Sequence, residues 1–224
     1  MKNKGKSSLR GEQTRDALLD AAMLVFAREG FQSANLREIA EAGAVNPALI
    51  GYHFRSKEGL YLAVFERMIG QLRQVFEPLV AGIEKALATP GPGSTRDDLA
   101  RRYLPLLLGY VEAMGVHMVH EHPAWGELIV REQHSPTAAY ELLHERLISR
   151  SHGAVTRLLQ ALRQDPDQER ASLLAATILA QVLIIRSTRT TLLRLMRWDS
   201  IGDRELEVMK VLIRRNTTLL ALGD

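Results

Sequence analysis

The chain has 224 residues, 46% of them hydrophobic and 25% charged, with no cysteine. That is enough apolar material to build a core in one domain or two, and it excludes a chain disordered throughout. It also excludes a disulfide scaffold, thiol catalysis, an iron–sulfur cluster and any cysteine zinc finger, while a net charge of +3 is too small to argue for nucleic acid by itself.

Lys2, Lys4, Lys6, Arg10 and Arg15 face only Glu12 at the start of the chain. Residues 1–12 therefore read either as a disordered, solvated basic arm or as an arm that touches phosphate. No apolar stretch follows, as a secretory signal would require. Leu18, Ala22, Val25 and Phe26 fall on one face of a helix from about Thr14 to Arg28, which Gly30 stops. Asn35 with Glu38 makes a capping-box-like start to a short helix, Leu36 to Ala42, that buries Leu36, Ile39 and Ala40. After a Gly43-Ala44 turn, Asn46-Pro47 places an N-cap side chain before a proline at the first position of a third helix, ending near Phe54. Ser56, Lys57 and Glu58 open a longer helix carrying Leu60, Leu62, Val64, Phe65 and Met68, kinked or divided at Pro78 and ending near Leu87.

Thr89-Pro90-Gly91-Pro92-Gly93-Ser94 is the clearest loop. Beyond it the pattern predicts a helix from about Thr95 to Met118, bent near Pro105, and a short one from Pro123 to Val130. Ser135-Pro136 caps a helix to about Leu162, Asp165-Pro166 one to about Met196, and the last spans roughly Asp203 to Leu222. Neither strand-like alternation nor a repeat occurs. The fold class is all-α with about nine or ten helices: an N-terminal three-helix helix-turn-helix domain, residues 1–57, and a larger helical domain, residues 58–224. The longest apolar stretch, Ala171 to Ile185, is too short to span a bilayer, so no membrane partner is expected and the chain reads as cytoplasmic.

Two short helices joined by a glycine-containing turn describe a helix-turn-helix, whose second helix lies in the major groove of DNA. Asn46 to Lys57 has the chemistry for that role. Ala48, Leu49 and Gly51 are small or apolar where a helix must approach base edges. Tyr52 and His53 donate to phosphates on short stems, and Lys57 joins free backbone N–H groups at a helix start. Tyr52 has a core reading as well, Arg37 an ion-pair reading, and Leu49 divides between a thymine methyl and the interior.

The run Leu36-Arg37-Glu38-Ile39-Ala40-Glu41 through Tyr52-His53-Phe54-Arg55-Ser56-Lys57-Glu58-Gly59-Leu60 resembles the DNA-binding domain of the TetR family of bacterial transcriptional regulators over about residues 12–65. The resemblance implies a homodimeric, ligand-responsive, usually repressing factor on a palindromic operator. It makes Asn46, Pro47, Ala48, Leu49, Gly51, Tyr52 and His53 the recognition helix, and Arg37, Tyr52, His53 and Lys57 phosphate-facing. Asn46-Pro47-Ala48-Leu49-Ile50-Gly51-Tyr52-His53-Phe54 together with Arg131-Glu132-Gln133-His134-Ser135-Pro136-Thr137-Ala138-Ala139-Tyr140 is similar to the CecR subfamily. In one place the chain departs: the family's turn glycine falls at Ala44, with Gly43 before it. Either alanine takes a positive φ there at a cost of about 1 kcal/mol, or the turn shifts by one residue.

In the second domain Tyr110, Met114, His117, Met118, Trp125, Arg131 and His134 are candidate lining of a small-molecule effector pocket, with simple core as the alternative for each. Glu132 adds a further polar contact there. His117, His120 and His122 with Glu121 have weak metal spacing, and His144-Glu145 lacks the second histidine of a zinc protease. No metal and no cofactor is expected. Nor is an enzyme, for the chain holds no nucleophile elbow, Walker loop or dinucleotide fingerprint. Leu173, Leu174, Ala176, Ile178, Ala180, Val182, Leu183 and Ile184 surround their helix almost completely, so it must be buried on all sides. Leu174, Ile178 and Gln181, with Leu206, Met209, Leu212 and Leu219 of the last helix, are the expected two-fold dimer interface. The other readings are a dimeric DNA-binding regulator without effector, or a helical enzyme.

Overall fold

Gly30 divides the first element. In the computed structural model, which describes residues 4–89, 95–120 and 123–223, helix α1 (Lys4–Ser33) is kinked where this glycine adopts φ 80°, ψ 166°. Only glycine enters that region without strain, so the expected stop is real, and one further turn follows it. Residues 4–12, expected as a disordered arm, are the first turns of α1: no proline interrupts them, and extending a nucleated helix costs little per residue. Lys2, the loop residues 90–94, Glu121 and His122 lie outside the described residues, as do the side chains of Lys4, Lys6 and Arg10.

Helices α2 (Leu36–Ala42), α3 (Ala48–Phe54) and α4 (Lys57–Ala88) follow the sequence pattern closely. Pro78 does not divide α4: it lies on the exposed side, where water can satisfy the carbonyl that lacks an amide partner. The remaining helices are α5 (Arg96–His120), α6 (Pro123–His134), α7 (Ala138–Leu143), α8 (Ser149–Arg163), α9 (Gln168–Ser187), α10 (Arg189–Met196) and α11 (Asp203–Leu222). A π-helical turn, His144–Ile148, joins α7 to α8, and no strand occurs among the described residues. The helices expected to run unbroken from 135 to 162 and from 165 to 196 are thus each divided, with Thr137 and Asp167 as the caps instead of Ser135 and Asp165.

The chain forms two compact units, Met1–Gly70 with His122–His144 and Gln71–Glu121 with Glu145–Asp224. In the first, Leu18, Leu19, Phe26, Ile39, Ile50, Leu60, Phe65 and Leu128 are fully buried. The expected division at residue 57 falls inside this unit, because the first half of α4 packs on α1. The Phe26 and Tyr61 rings meet edge-on at 4.9 Å, and Arg67 pairs with Asp20 at 2.7 Å.

In the second unit α9 packs against α5, α8 and α11. Its inner series is Ala171, Ala175, Ile178, Val182 and Ile185, all buried at the four- and three-residue steps of one helix face. At 20 residues α9 has the length and hydropathy to cross a bilayer, contrary to the sequence expectation, yet that inner face serves as core here. Its other side exposes Leu173, Leu183 and Ile184. Ile178 and Leu206, expected at a dimer interface, are 0% and 2% exposed in the single chain. They are core residues and leave no surface for a partner.

Candidate nucleic-acid interface

The turn between α2 and α3 is not shifted. Gly43 keeps an ordinary φ of −82°, and Ala44 takes the positive φ of 52°. Gly43 is closely packed instead: a Cβ there would stand 3.3 Å from Ala17 O and 3.4 Å from Ile39 O, a tight fit. Asn35 caps α2 by accepting from Arg37 N at 2.9 Å, but Glu38 does not complete the expected capping box, because Arg28 claims its carboxylate.

At the start of α3, Asn46 Oδ1 accepts from Ala48 N at 2.9 Å, and Pro47 already has helical angles of −53° and −31°. Ile50 and Phe54 turn into the core. Leu49 is half-buried, so neither of its two readings is excluded, while Asn46, Pro47, Ala48 and Gly51 are exposed. Tyr52 is 80% exposed, which removes the core reading for it. Open space surrounds the Cα of Gly51, so the backbone of α3 is approachable there. His53 is half-buried, its ring 5.0 Å from that of Tyr52 and 6.0 Å from that of Phe54.

The joint from α3 to α4 has no slack. Arg55 adopts φ 69°, ψ −42°, and Ser56 N donates back to Phe54 O at 2.8 Å, a γ-turn with positive φ. Ser56 Oγ then accepts from Gly59 N at 2.9 Å, capping α4. Any Cβ at position 59 would run into the Phe54 carbonyl oxygen, so glycine is required by close approach. Lys57 Nζ donates to Gln32 O at 2.8 Å and lies 5.2 Å from the centre of the Phe31 ring. That leaves two of its ammonium protons for another acceptor. Arg37 is exposed and makes no ion pair among the described residues, against its ion-pair reading. Arg15 stacks its guanidinium 5.5 Å from the Phe54 ring centre. Sequence reasoning passed over Arg55, an exposed cation between His53 and Lys57; its place in the motif was the available signal.

The expected pocket residues are divided between the two units. Trp125, Arg131 and His134 belong to the first unit, and Tyr110, Met114, His117 and Met118 to the second. Arg131 donates to Ala27 O and Arg28 O at 3.0 and 2.9 Å, and His134 Nδ1 pairs with Val130 O of its own helix at 2.8 Å. Both are therefore occupied in holding helices. In the second unit Phe76 lies 5.5 Å from Tyr110 and 5.7 Å edge-on to His117, and the Tyr110 hydroxyl meets Ser151. Burial pushes the Tyr110 phenol above its ordinary range, so it stays protonated. His120 pairs with Asp203 at 2.9 Å, and no group among the described residues could hold a metal.

A short exposed helix braced behind a tight turn is the geometry of a helix-turn-helix. Residues 18–64 match the model for bacterial regulatory proteins of the TetR family, and residues 106–223 match that for the C-terminal domain of the HTH-type transcriptional dual regulator CecR. The CecR dual regulator of Shigella flexneri is 30% identical over 99% of this chain and 97% of its own. The BetI regulator of Rhizobium meliloti is 41% identical over 76 residues, 34% of this chain and 36% of its own. Among solved structures, the fatty acid degradation regulator FadR of Bacillus halodurans shares the fold, with TM-score 0.59, 17% identity and coverage of 93% and 94%. AibR, crystallised with isovaleryl coenzyme A and operator DNA, does so with TM-score 0.59, 13% identity and coverage of 92% and 96%. The chain belongs to the TetR family of bacterial transcriptional regulators, in its CecR branch. It is a DNA-binding regulator and not an enzyme.

Proposed function

We propose that the protein acts in the cytoplasm as a two-fold homodimer on a palindromic operator, represses transcription there, and leaves the DNA when a small-molecule effector binds. Residues 1–57 carry the DNA contacts, braced by the rest of the first unit, and the second unit carries the effector site and dimer interface. The observation that carries this reading is the outer side of α3: Asn46, Pro47, Ala48, Gly51 and Tyr52 exposed, over a base fixed by Ile50 and Phe54. Arg37, His53 and Lys57 flank it as phosphate donors, with Leu49 at its edge. One short helix reads too few base pairs for useful specificity, so two copies are needed at a fixed half-site spacing. The second copy covers the apolar surface that α9 and α11 leave open, centred on Leu183, Ile184, Leu212 and Leu219. Leu174, Gln181 and Met209, half-buried, lie at its margin.

For the effector, the candidate is the buried polar group Tyr110, His117 and Ser151 beside Phe76, with Met114 and Met118 half-buried on the same helix. AibR, which shares the fold, was crystallised with isovaleryl coenzyme A and operator DNA together, so the titrations must also score a complex that holds effector and DNA at once. A second reading, a regulator without effector, draws on the size of the cavity beside Phe76 and Ser151: about 10 Å³, room for one water. Duplexes selected from a randomised pool give the operator, and light scattering of the protein alone and on that operator gives the stoichiometry. A monomer in both states overturns the dimer. Calorimetric titration of candidate compounds, with and without operator, separates the two readings, since linkage requires DNA to weaken effector binding by the factor that effector weakens DNA binding. Because the S. flexneri relative is described as a dual regulator, reporter assays should score activation as well as repression.

A further inference from the structure

The run from Arg131 to Thr137 is a candidate for more than pocket lining. Arg131 reaches from α6 to the end of α1, where Nε donates to Ala27 O and Nη2 to Arg28 O. Those carbonyls would normally receive amides that lie beyond Gly30, where the helix is broken. A cation at a helix C-terminus is favourable, and this one fills the space beside Gly30, where a Cβ would come within 3.1 Å of Nη1.

The next residue works on a different helix. Glu132 is 2% exposed, and its carboxylate accepts from Tyr61 OH at 2.7 Å, Thr137 N at 2.8 Å and Thr137 Oγ1 at 3.0 Å. A buried carboxylate is tolerated only when donors surround it, as they do here. Tyr61 stays a donor, since burial and then the Glu132 hydrogen bond push its phenol far above the ordinary range. Thr137 also accepts from Ala139 N at 3.1 Å, which starts α7.

Two adjacent residues of α6 thus grip the two helices between which α2 and α3 are strung: α1 at its last carbonyls, and α4 four residues beyond Lys57. Lys57 itself rests on Gln32 O, two residues past the glycine that Arg131 braces. We propose that Arg131 and Glu132 are positioning residues for DNA binding, a clasp that holds the helix-turn-helix in register without touching DNA. The proposal rests on the reading of α3 as the DNA-contacting helix.

The test uses the full chain with Arg131→Met, Arg131→Lys, Glu132→Gln and Tyr61→Phe. R131M should bind operator about tenfold more weakly, as loss of charge-assisted hydrogen bonds does, with an unchanged slope of log affinity on log salt. R131K, which keeps one donor within reach, should recover part of the loss. In DNA-free R131M the amides of residues 31–37 should exchange about tenfold faster, while those of α9 and α11 keep wild-type protection. A salt slope lower by about one would make Arg131 a phosphate contact and overturn the clasp. Wild-type affinity despite faster exchange would overturn it too. If R131M does not fold, Y61F removes a single hydroxyl and E132Q a single charge; wild-type operator affinity in both would sink the proposal. Failure of the DNA reading itself is visible before any variant is made, as a wild-type chain that binds no duplex.

Discussion

Ala44 holds a φ of 52° in a turn where glycine would sit without strain, and the strain is local, since Gly43 and Val45 already make their hydrogen bonds. Ala44→Gly should therefore stabilise the protein by about 1 kcal/mol, read as a higher urea midpoint at constant m-value. A lower midpoint would mean that the turn is held by something other than backbone angle. Gly59 is the converse case. Gly59→Ala drives a methyl into the Phe54 carbonyl, and the joint must open or the protein lose about 2 kcal/mol or more. Its far-ultraviolet spectrum should remain helical while operator binding falls. Lys57 contributes in two ways, through Gln32 O and through its remaining protons. Lys57→Ala is expected to weaken specific and non-specific DNA alike and to lower the salt slope by about one; unchanged affinity at low salt would remove Lys57 from the contact surface.

At the scale of helices, arginines from elsewhere in the sequence close several C-termini. Arg131 does this for α1, Arg102 for α4 through Ala86 O and Thr89 O, and Arg96 with Arg163 for α11 through Leu220 O, Leu222 O and Gly223 O. Arg163→Ala should fray the last turn of α11, seen as faster amide exchange there, at a cost of about 1 kcal/mol. The N-termini use carboxylates. The Thr95 hydroxyl, and next Arg101, hold Asp98 below the ordinary range, and Gly202 N, then Arg204, do so for Glu205. Both groups have a lower pKa folded than unfolded, so the unfolded chain binds more protons in acid. Their contribution is complete above about pH 5 and is lost as pH falls through the folded values. Melting temperature should drop on acidification below about pH 5, less steeply in Asp98→Asn.

These elements also mark what could be read from sequence. Local capping was legible: Asn35, Asn46 and Ser56 each bind the amides that their positions predict. Helix faces were legible as well, as Leu18, Ile39 and Phe65 show. What a long side chain does after leaving its helix was not. Glu38 went to Arg28 instead of its cap, and Arg131 went to carbonyls 103 and 104 residues away in sequence, so it looked like pocket lining. The break at Thr188 carries neither glycine nor proline and gave no local sign. Ile178 and Leu206 show the limit of a helix that is apolar all round, since periodicity cannot say which side meets the core.

Across the whole molecule the exposed apolar side chains concentrate late in the chain: Leu173, Leu183, Ile184, Leu195, Val211, Leu212 and Leu219. Leu212→Glu together with Leu219→Glu should give a folded monomer with an unchanged helical spectrum and much weaker operator binding; a persisting dimer in light scattering would move the interface elsewhere. The division of the chain into units has a separate consequence, for how members of such a family can be recombined. The backbone passes from one unit to the other near residues 70, 121 and 144, so the unit that carries α2 and α3 is not a contiguous cassette. A hybrid spliced at residue 57 would ask the α6 of one parent to find the end of the other parent's α1. One that exchanges residues 1–70 together with 123–144 carries its own fastening with it. The second kind of hybrid should inherit the donor's operator preference, and the first should be recovered, if at all, as a protein that folds yet reads no site well.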